Sequence, residues 1–467
     1  MHRHVLGHIS PGERVANPES IELPARYQIE ALVTDLNCPT AISWEPDGTM
    51  LIAESWPPYG AAAEVEPRIL RRRADGSLEP FASGFEPPIN DIAFHRGLLY
   101  VSHRGRISVV EGGCVRDLVT GLPSWGLHQN TTLAFDAAGR MHFGQGTVSN
   151  AGVLGPTELE RLITSGHAHA RDLPGEPVVL TGVSYEVTNP VSGEARPTGP
   201  FLAWGVPATP GQRLPGPVPG AAASGAIMRA SSDGSDLRVL AWGLRNPFGL
   251  AFGPDGQLYV TNQGARPLEP RPIAGDPDGL YVVQEGAWYG WPDFAAGQPV
   301  SDAAFQQPGL PPHQALLANH VELLKGQARP PRPLVTLGLQ VGAAGLDFCL
   351  EPRFGFAGQA FIAEFGPLLT PREQGSGPCA PGGHRVVRAD PLNGAASEFA
   401  INRSRLPASL AGNTGGLERP TAVRFGPDGG LYIVDCGVIE FREEAWGWVA
   451  VPTTGIIWRV THSGMRV

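Results

Sequence analysis

The feature that most limits this chain is a hairpin pattern that recurs six times: an apolar run, a turn carrying Gly, and a second short run. The copies are AISWEPDGTMLIAES (41–55), DIAFHRGLLYVSHRG (91–105), TLAFDAAGRMHFGQG (132–146), GLAFGPDGQLYVTNQG (249–264), GLDFCLEPRFGFAGQAFIAEFG (345–366) and AVRFGPDGGLYIVDCG (422–437). Asp-Gly and related turns reverse an extended chain tightly, so each copy reads as an antiparallel hairpin. Further short runs follow the copies, among them RILRRRA, ISVVEGG, AIMRASS, GLYVVQEG, HRVVRAD and GIIWRVT. Repeated hairpins completed by a third and fourth strand are the pattern of propeller blades. The six copies predict an all-β protein, a six-bladed β-propeller of four-stranded antiparallel blades with long irregular rim insertions.

Composition agrees with this class. The 467 residues include 61 Gly and 47 Pro, about twice the average share, which leaves little room for long helices. Disorder would also raise Gly and Pro, but 42% hydrophobic residues and 10 Trp call for a packed core. The net charge is −10, the only lysine is Lys325, and no basic run occurs, which argues against a nucleic-acid partner. No apolar run approaches the roughly 18 residues of a membrane span. The start, MHRHVLGHISPGERVANPES, lacks the apolar centre of a signal peptide, so a cytoplasmic protein is expected if that terminus is native. Cys38, Cys114, Cys349, Cys379 and Cys436 show no metal or haem spacing; one disulfide is possible, and buried thiols are the preferred reading.

Uneven spacing between copies sets the domain plan: an N-terminal extension (1–27) and a single propeller (28–467). Rim insertions fall at about 147–225, 293–333 and 367–384. The strand RYQIEALVTDL is expected to pair with the C-terminal GIIWRVTH and close the ring.

Strand residues alternate faces, so equivalent positions in each copy share a surface. Six residues beyond each turn glycine stand Glu54, His103, Gln145, Asn262, Glu364 and Asp435. The first-strand starts carry Asn37-Cys38, Ile89-Asn90, His128-Gln129-Asn130, Arg245-Asn246 and Glu418-Arg419. These two polar rings are expected to meet at one mouth of the channel, though strand ends are also polar simply where they reach water. His128 titrates near neutrality and suits proton abstraction from an alcohol, or else structural hydrogen bonding. Arg245 with Asn246 suits carboxylate recognition or a local salt bridge. The aromatics of WYGWPDF (288–294) suit a stacking wall or blade packing. Glu54, Glu364 and Asp435 suit a hard cation or plain hydration.

The stretches GLHQNTTLAFDAAGRMHFGQG, WGLRNPFGLAFGPDGQLYVTNQG, GAWYGWPDF and RPTAVRFGPDGGLYIVDCG make residues 28–462 resemble the soluble quinoprotein glucose/sorbosone dehydrogenases. That resemblance implies a six-bladed propeller using pyrroloquinoline quinone and calcium, with a sugar or alcohol substrate and an external electron acceptor. It implies His128 as general base and Gln145, Arg245, Asn246 and Arg419 as cofactor contacts. Tyr289 and Trp291 would line the substrate wall, and the carbonyls of Gly264 and Ala265 would meet calcium. It also implies a periplasmic or secreted protein. Three departures stand out: Glu364-Phe365-Gly366 where the family has a lysine, Thr421 in place of an arginine, and Pro87-Pro88-Ile89-Asn90 in place of a glutamine. Two alternatives from other classes remain: a non-catalytic propeller binding a carbohydrate or protein partner at its rim, and a lactonase with a cation held by Glu54, Asn262 and Asp435.

Overall fold

The Asp-Gly turns close in one recurring way. In 253–257 the Gly256 amide donates to the Gly253 carbonyl at 2.9 Å, and Asp255 Oδ1 accepts from the Gln257 amide at 3.1 Å. Gly256 sits at φ +76°, a conformation other residues adopt only with strain. The same pair of bonds recurs around Asp428 and Gly429.

The computed structural model describes residues 14–55, 66–368, 382–442 and 447–465. Six antiparallel sheets stand in ring order. Blade 1 holds Pro39–Trp44, Met50–Glu54, Arg68–Arg72 and Leu78–Ser83; blade 2 holds Ile89–His95, Leu98–His103, Arg106–Glu111 and Cys114–Val119. Blade 3 holds Asn130–Phe135, Met141–Gln145, Ala226–Ala230 and Arg238–Trp242. Blade 4 holds Asn246–Phe252, Leu258–Gln263, Pro277–Val282 and Val335–Leu339. Blade 5 holds Ala343–Phe348, Ala360–Glu364, Arg385–Asp390 and Ala395–Asn402. Blade 6 joins Pro420–Phe425, Leu431–Asp435 and Gly455–His462 to the N-terminal Tyr27–Leu36. Ile29 pairs with Val460 and Ala31 with Trp458, so the expected ring closure is present.

The first strand of each blade packs against the first strand of the next, around the axis. Arg424 also links blades that are not neighbours in the ring. Arg424 of blade 6 holds Asp91 of blade 2 at 3.0 Å and donates to the Leu346 carbonyl of blade 5 at 3.1 Å.

Three expectations are corrected. Residues 21–22 are not a separate extension: Ile21–Glu22 adds a fifth strand to blade 5. Before it, Arg14 is buried against Asp435 at 2.6 Å and donates to the carbonyls of Gly416 and Thr454. Cys38 and Cys436 are disulfide-bonded rather than separate thiols, because the seam between blades 6 and 1 places their Cα atoms 4.1 Å apart. Cys114 is exposed and Cys349 buried, both reduced; Cys379 lies outside the described residues. The 147–225 insertion, expected on the rim, forms a helix over Pro156–Thr164, a short hairpin of Tyr185–Thr188 with Ala195–Thr198, and a pairing of Val178–Val179 with Arg213–Leu214, and it packs inward. It joins the 293–333 insertion through Leu180 and Leu317. Most of 367–384 lies outside the described residues.

Removing one partner of a fully buried ion pair strands the other charge. Arg14→Met is expected to lower unfolding free energy by about 3–5 kcal/mol, read from the urea midpoint.

Candidate functional site

The two polar rings part company in the structure. The second-strand residues Glu54, His103, Gln145, Asn262, Glu364 and Asp435 are all buried and face protein, not the mouth. Most capture the backbone that leads into a first strand. Glu54 Oε1 accepts from the Asn37 amide at 2.7 Å and His103 Nδ1 from the Glu86 amide at 3.1 Å. Asn262 Oδ1 takes the amides of both Arg245 and Asn246 at 3.0 Å, and Asp435 takes those of Glu418 and Arg419 at 2.9 and 2.7 Å. This corrects the lactonase trio: Glu54, Asn262 and Asp435 sit in blades 1, 4 and 6, each engaged locally, and the described residues hold no three-ligand His/Cys/Asp/Glu group.

The first-strand starts do open on a cavity of about 670 Å³. Its wall includes Cys38, Asn90, His128, Gln129, Arg245 and Asn246 from those starts, and Gly264 and Arg266 from the end of the second blade-4 strand. Blade 5 and its following loop add Phe365 to Leu368, while the insertion helix adds Pro156, Thr157 and Arg161. Of the residues expected at the site, His128, Arg245, Asn246 and Gly264 therefore share one cavity.

His128 is held by a carbonyl. Its Nδ1 lies 3.0 Å from the Thr147 carbonyl oxygen, which only accepts, so Nδ1 carries the proton and Nε2 keeps its lone pair. Gly146 makes this packing possible, since a Cβ there would lie 2.3 Å from His128 Cβ and 2.7 Å from Asn246 Oδ1. Burial, then the charges of Arg245 and Arg266, push the His128 pKa well below its usual value. The ring is therefore a neutral base at pH 7.

Arg245 is 3% exposed; its Nε donates to Asn150 Oδ1 at 3.1 Å, and its Nη2 has no partner. Burial and then Arg266 bring its pKa down to about 10. Asn246 Nδ2 donates to Gln263 Oε1 at 2.9 Å, leaving its Oδ1 unpartnered.

The other expected residues stand behind the wall. Gln145 donates to the carbonyls of Pro123 and Gly146, with Oε1 unpartnered. Arg419 lies over the Phe365 ring at 5.0 Å, and burial lowers its pKa to about 10. Ala265 is buried and gives its amide to Asp276 at 2.6 Å, while the Gly264 amide goes to Asp278 at 3.0 Å. Tyr289 and Trp291 are corrected: neither lines the cavity. The Tyr289 hydroxyl donates to the Val282 carbonyl at 2.6 Å, and Trp291 Nε1 donates to the Asn150 carbonyl at 3.1 Å. Both aromatics spend their polar atoms on backbone and their rings on the core.

Glu364 is likewise turned from the cavity, onto Arg385 at 2.6 Å, and burial raises its pKa to about 7. Sequence reasoning missed Arg161, Arg266 and Asn150. Arg266 directly follows the QGA stretch and was within reach of that motif; Asn150 belongs to an insertion with no repeat to register it.

Fold and site together define a six-bladed propeller with a cationic, histidine-bearing cavity at the axis. Residues 220–313 match the family profile described as glucose/sorbosone dehydrogenase, and the chain resembles that family. No curated protein sequence matches the chain. Among solved structures, the putative oxidoreductase (glucose dehydrogenase) of Thermus thermophilus is 19% identical, covering 93% of this chain and 99% of that one, with a TM-score of 0.51. The holo pyranose dehydrogenase PQQ domain of Coprinopsis cinerea is 14% identical, covering 95% and 97%, with a TM-score of 0.57. A calcium structure of the Trichoderma reesei carbohydrate-active enzyme of family AA12 is 16% identical, covering 96% and 98%, with a TM-score of 0.55. These likenesses show a shared fold along nearly the whole chain.

Asn262 supports the site through two amides at once. Asn262→Leu is expected to cost about 2–4 kcal/mol in chemical denaturation, since it leaves both amides buried without an acceptor.

Proposed function

We propose that the chain is a sugar dehydrogenase that oxidises an aldose or related carbinol, using bound pyrroloquinoline quinone and passing electrons to an external acceptor. The observation that carries this reading is the His128 ring on the cavity wall, proton on Nδ1 and lone pair on Nε2. A carbinol O–H placed against Nε2 gives up its proton there as its C–H leaves as hydride and the C=O forms. When bound, the quinone and its calcium supply the two-electron hydride acceptor.

The residues present fit such a group. Pyrroloquinoline quinone is a flat trianion, and the cavity offers the unpartnered Arg245 Nη2 beside Asn246, with Arg161 and Arg266 on the same wall. Arg419 lies one layer back. The carboxylates of Asp276 and Asp278, which hold the amides of Ala265 and Gly264, are raised by burial to about 7 and about 6. A divalent cation on the carbonyls of Gly264 and Ala265 would offset that cost of buried charge, so calcium suits this loop. The Cys38–Cys436 disulfide fits an oxidising compartment, and we place the protein in the periplasm or outside the cell. No helix among the described residues is long and apolar enough to cross a membrane.

The chain incubated with pyrroloquinoline quinone and calcium is expected to reduce a dye acceptor on a panel of aldoses; no turnover on any sugar would overturn the reading. His128→Gln should lower kcat/KM by roughly 10²–10⁴-fold, the usual worth of a general base. Because His128 titrates well below 6.5, its base form is complete at neutral pH. In the ligand-free chain an NMR titration should find the His128 ring still neutral at pH 6.5 and protonated only in more acid solution, and a midpoint at or above 6.5 would overturn this account of the ring.

A further inference from the structure

Two arginines on the cavity wall share one partner. Asn150, near the start of the 147–225 insertion, accepts through the same Oδ1 from Arg245 Nε at 3.1 Å and from the Arg266 amide at 3.0 Å. Its Nδ2 donates to the Arg266 carbonyl at 2.8 Å. Its own backbone is pinned on both sides: the amide donates to Glu158 Oε1 at 2.9 Å, and the carbonyl accepts from Trp291 Nε1. Asn150 is 2% exposed, so the side chain has no room to swing.

Like charges brought together away from water repel, and the described residues give neither arginine an ion pair. Arg245 keeps an unpartnered Nη2, and among the described residues the guanidinium of the half-buried Arg266 donates to the Leu368 carbonyl alone, at 3.4 Å. Asp276, Asp278 and Glu158 offset part of the Arg245 charge, but burial and Arg266 outweigh them, so holding the two guanidiniums together costs free energy unless a ligand takes up their charge. Their planar forks match carboxylate oxygens. Leu368 also places Arg266 against the 365–368 wall, and Glu364, which precedes that wall in sequence, is paired with Arg385.

We propose that Arg245 and Arg266 form a carboxylate clamp for a flat, polycarboxylated ligand, with Arg266 as a further cofactor-binding cation and Asn150 as the residue that positions the pair. The ligand's identity as the quinone rests on the reading above; the clamp itself does not.

The test measures binding to the full chain without added metal. Pyrroloquinoline quinone is followed by equilibrium dialysis and pyridine-2,6-dicarboxylate by calorimetry, each at low and high salt. Arg266→Gln is expected to weaken both ligands about tenfold or more and to flatten the salt dependence, while Tm stays close to wild type. Arg266→Lys should keep part of the affinity. Asn150→Asp has nearly the same shape but sets a carboxylate against the Arg245 guanidinium and removes the donor to the Arg266 carbonyl, so it should weaken binding more at low salt than at high. Wild-type quinone affinity in both Arg266→Gln and Asn150→Asp would overturn the clamp and leave the quinone reading standing. Binding of the dicarboxylate but not the quinone would support the clamp and sink the quinone reading. Binding of neither ligand by the wild-type chain would overturn both.

Discussion

The site depends on buried side-chain acceptors that catch backbone amides where the chain enters each blade. A first strand near the axis has no outer neighbour at its start, and an amide buried there without an acceptor is costly. Asn262 solves this for Arg245 and Asn246, Asp435 for Glu418 and Arg419, and Glu54 for Asn37. Asp278 does so for Ala343 and, from its other oxygen, for Gly264. The backbone of the wall is thus fixed largely by groups that stand behind it, Asp278 alone of these reaching the cavity. Side chains on that backbone are free to be chosen for chemistry.

Charge is sorted by the same arrangement. The deeply buried carboxylates Asp435 and Glu364 meet Arg14 and Arg385 on their outer sides. Asp91, at the axis, meets Arg424. The charge of these three carboxylates is thereby spent within the walls, whereas Arg245 and Arg266 face the cavity without ion pairs among the described residues, beside the lining carboxylates Asp278 and Glu269. The resulting field explains why His128 is neutral: burial already disfavours its charged form, and two nearby guanidiniums disfavour it further. The same field that suits an anionic ligand keeps the base unprotonated.

The blades were legible because a hairpin repeat carries its own register: turn glycine, apolar alternation and polar end recur at fixed offsets. The closing strand was legible for the same reason, since a ring of incomplete blades needs one partner from the other terminus. The polar ends were located correctly but read for the wrong surface, because periodicity tells which residues are equivalent and not which of two neighbours they face. Tyr289 and Trp291 show a second limit. An aromatic cluster beside a turn packs as readily behind a wall as on it, and only the hydrogen bonds of the Tyr289 hydroxyl and the Trp291 indole place them behind. The disulfide joins residues 398 apart, a pairing that no local spacing encodes.

The insertions behave as wall rather than lid. A mobile cover exposes its backbone bonds and few buried contacts hold it down. Here Asp293 is buried and takes Arg271, His320 and the amides of Leu316 and Leu317, tying the 293–333 segment to itself and to blade 4. Asn319 then accepts the Val179 amide, and Thr181 gives its hydroxyl to the Ala315 carbonyl, so the 147–225 segment is fastened to the other insertion. Asp172 holds the amides of Val148 and Ser149 next to Thr147, the residue whose carbonyl orients His128. The ring supplies the base and, from blade 4, both arginines. What orients the base, and what brings a second arginine beside the first, comes from the insertion, and that work requires a rigid segment.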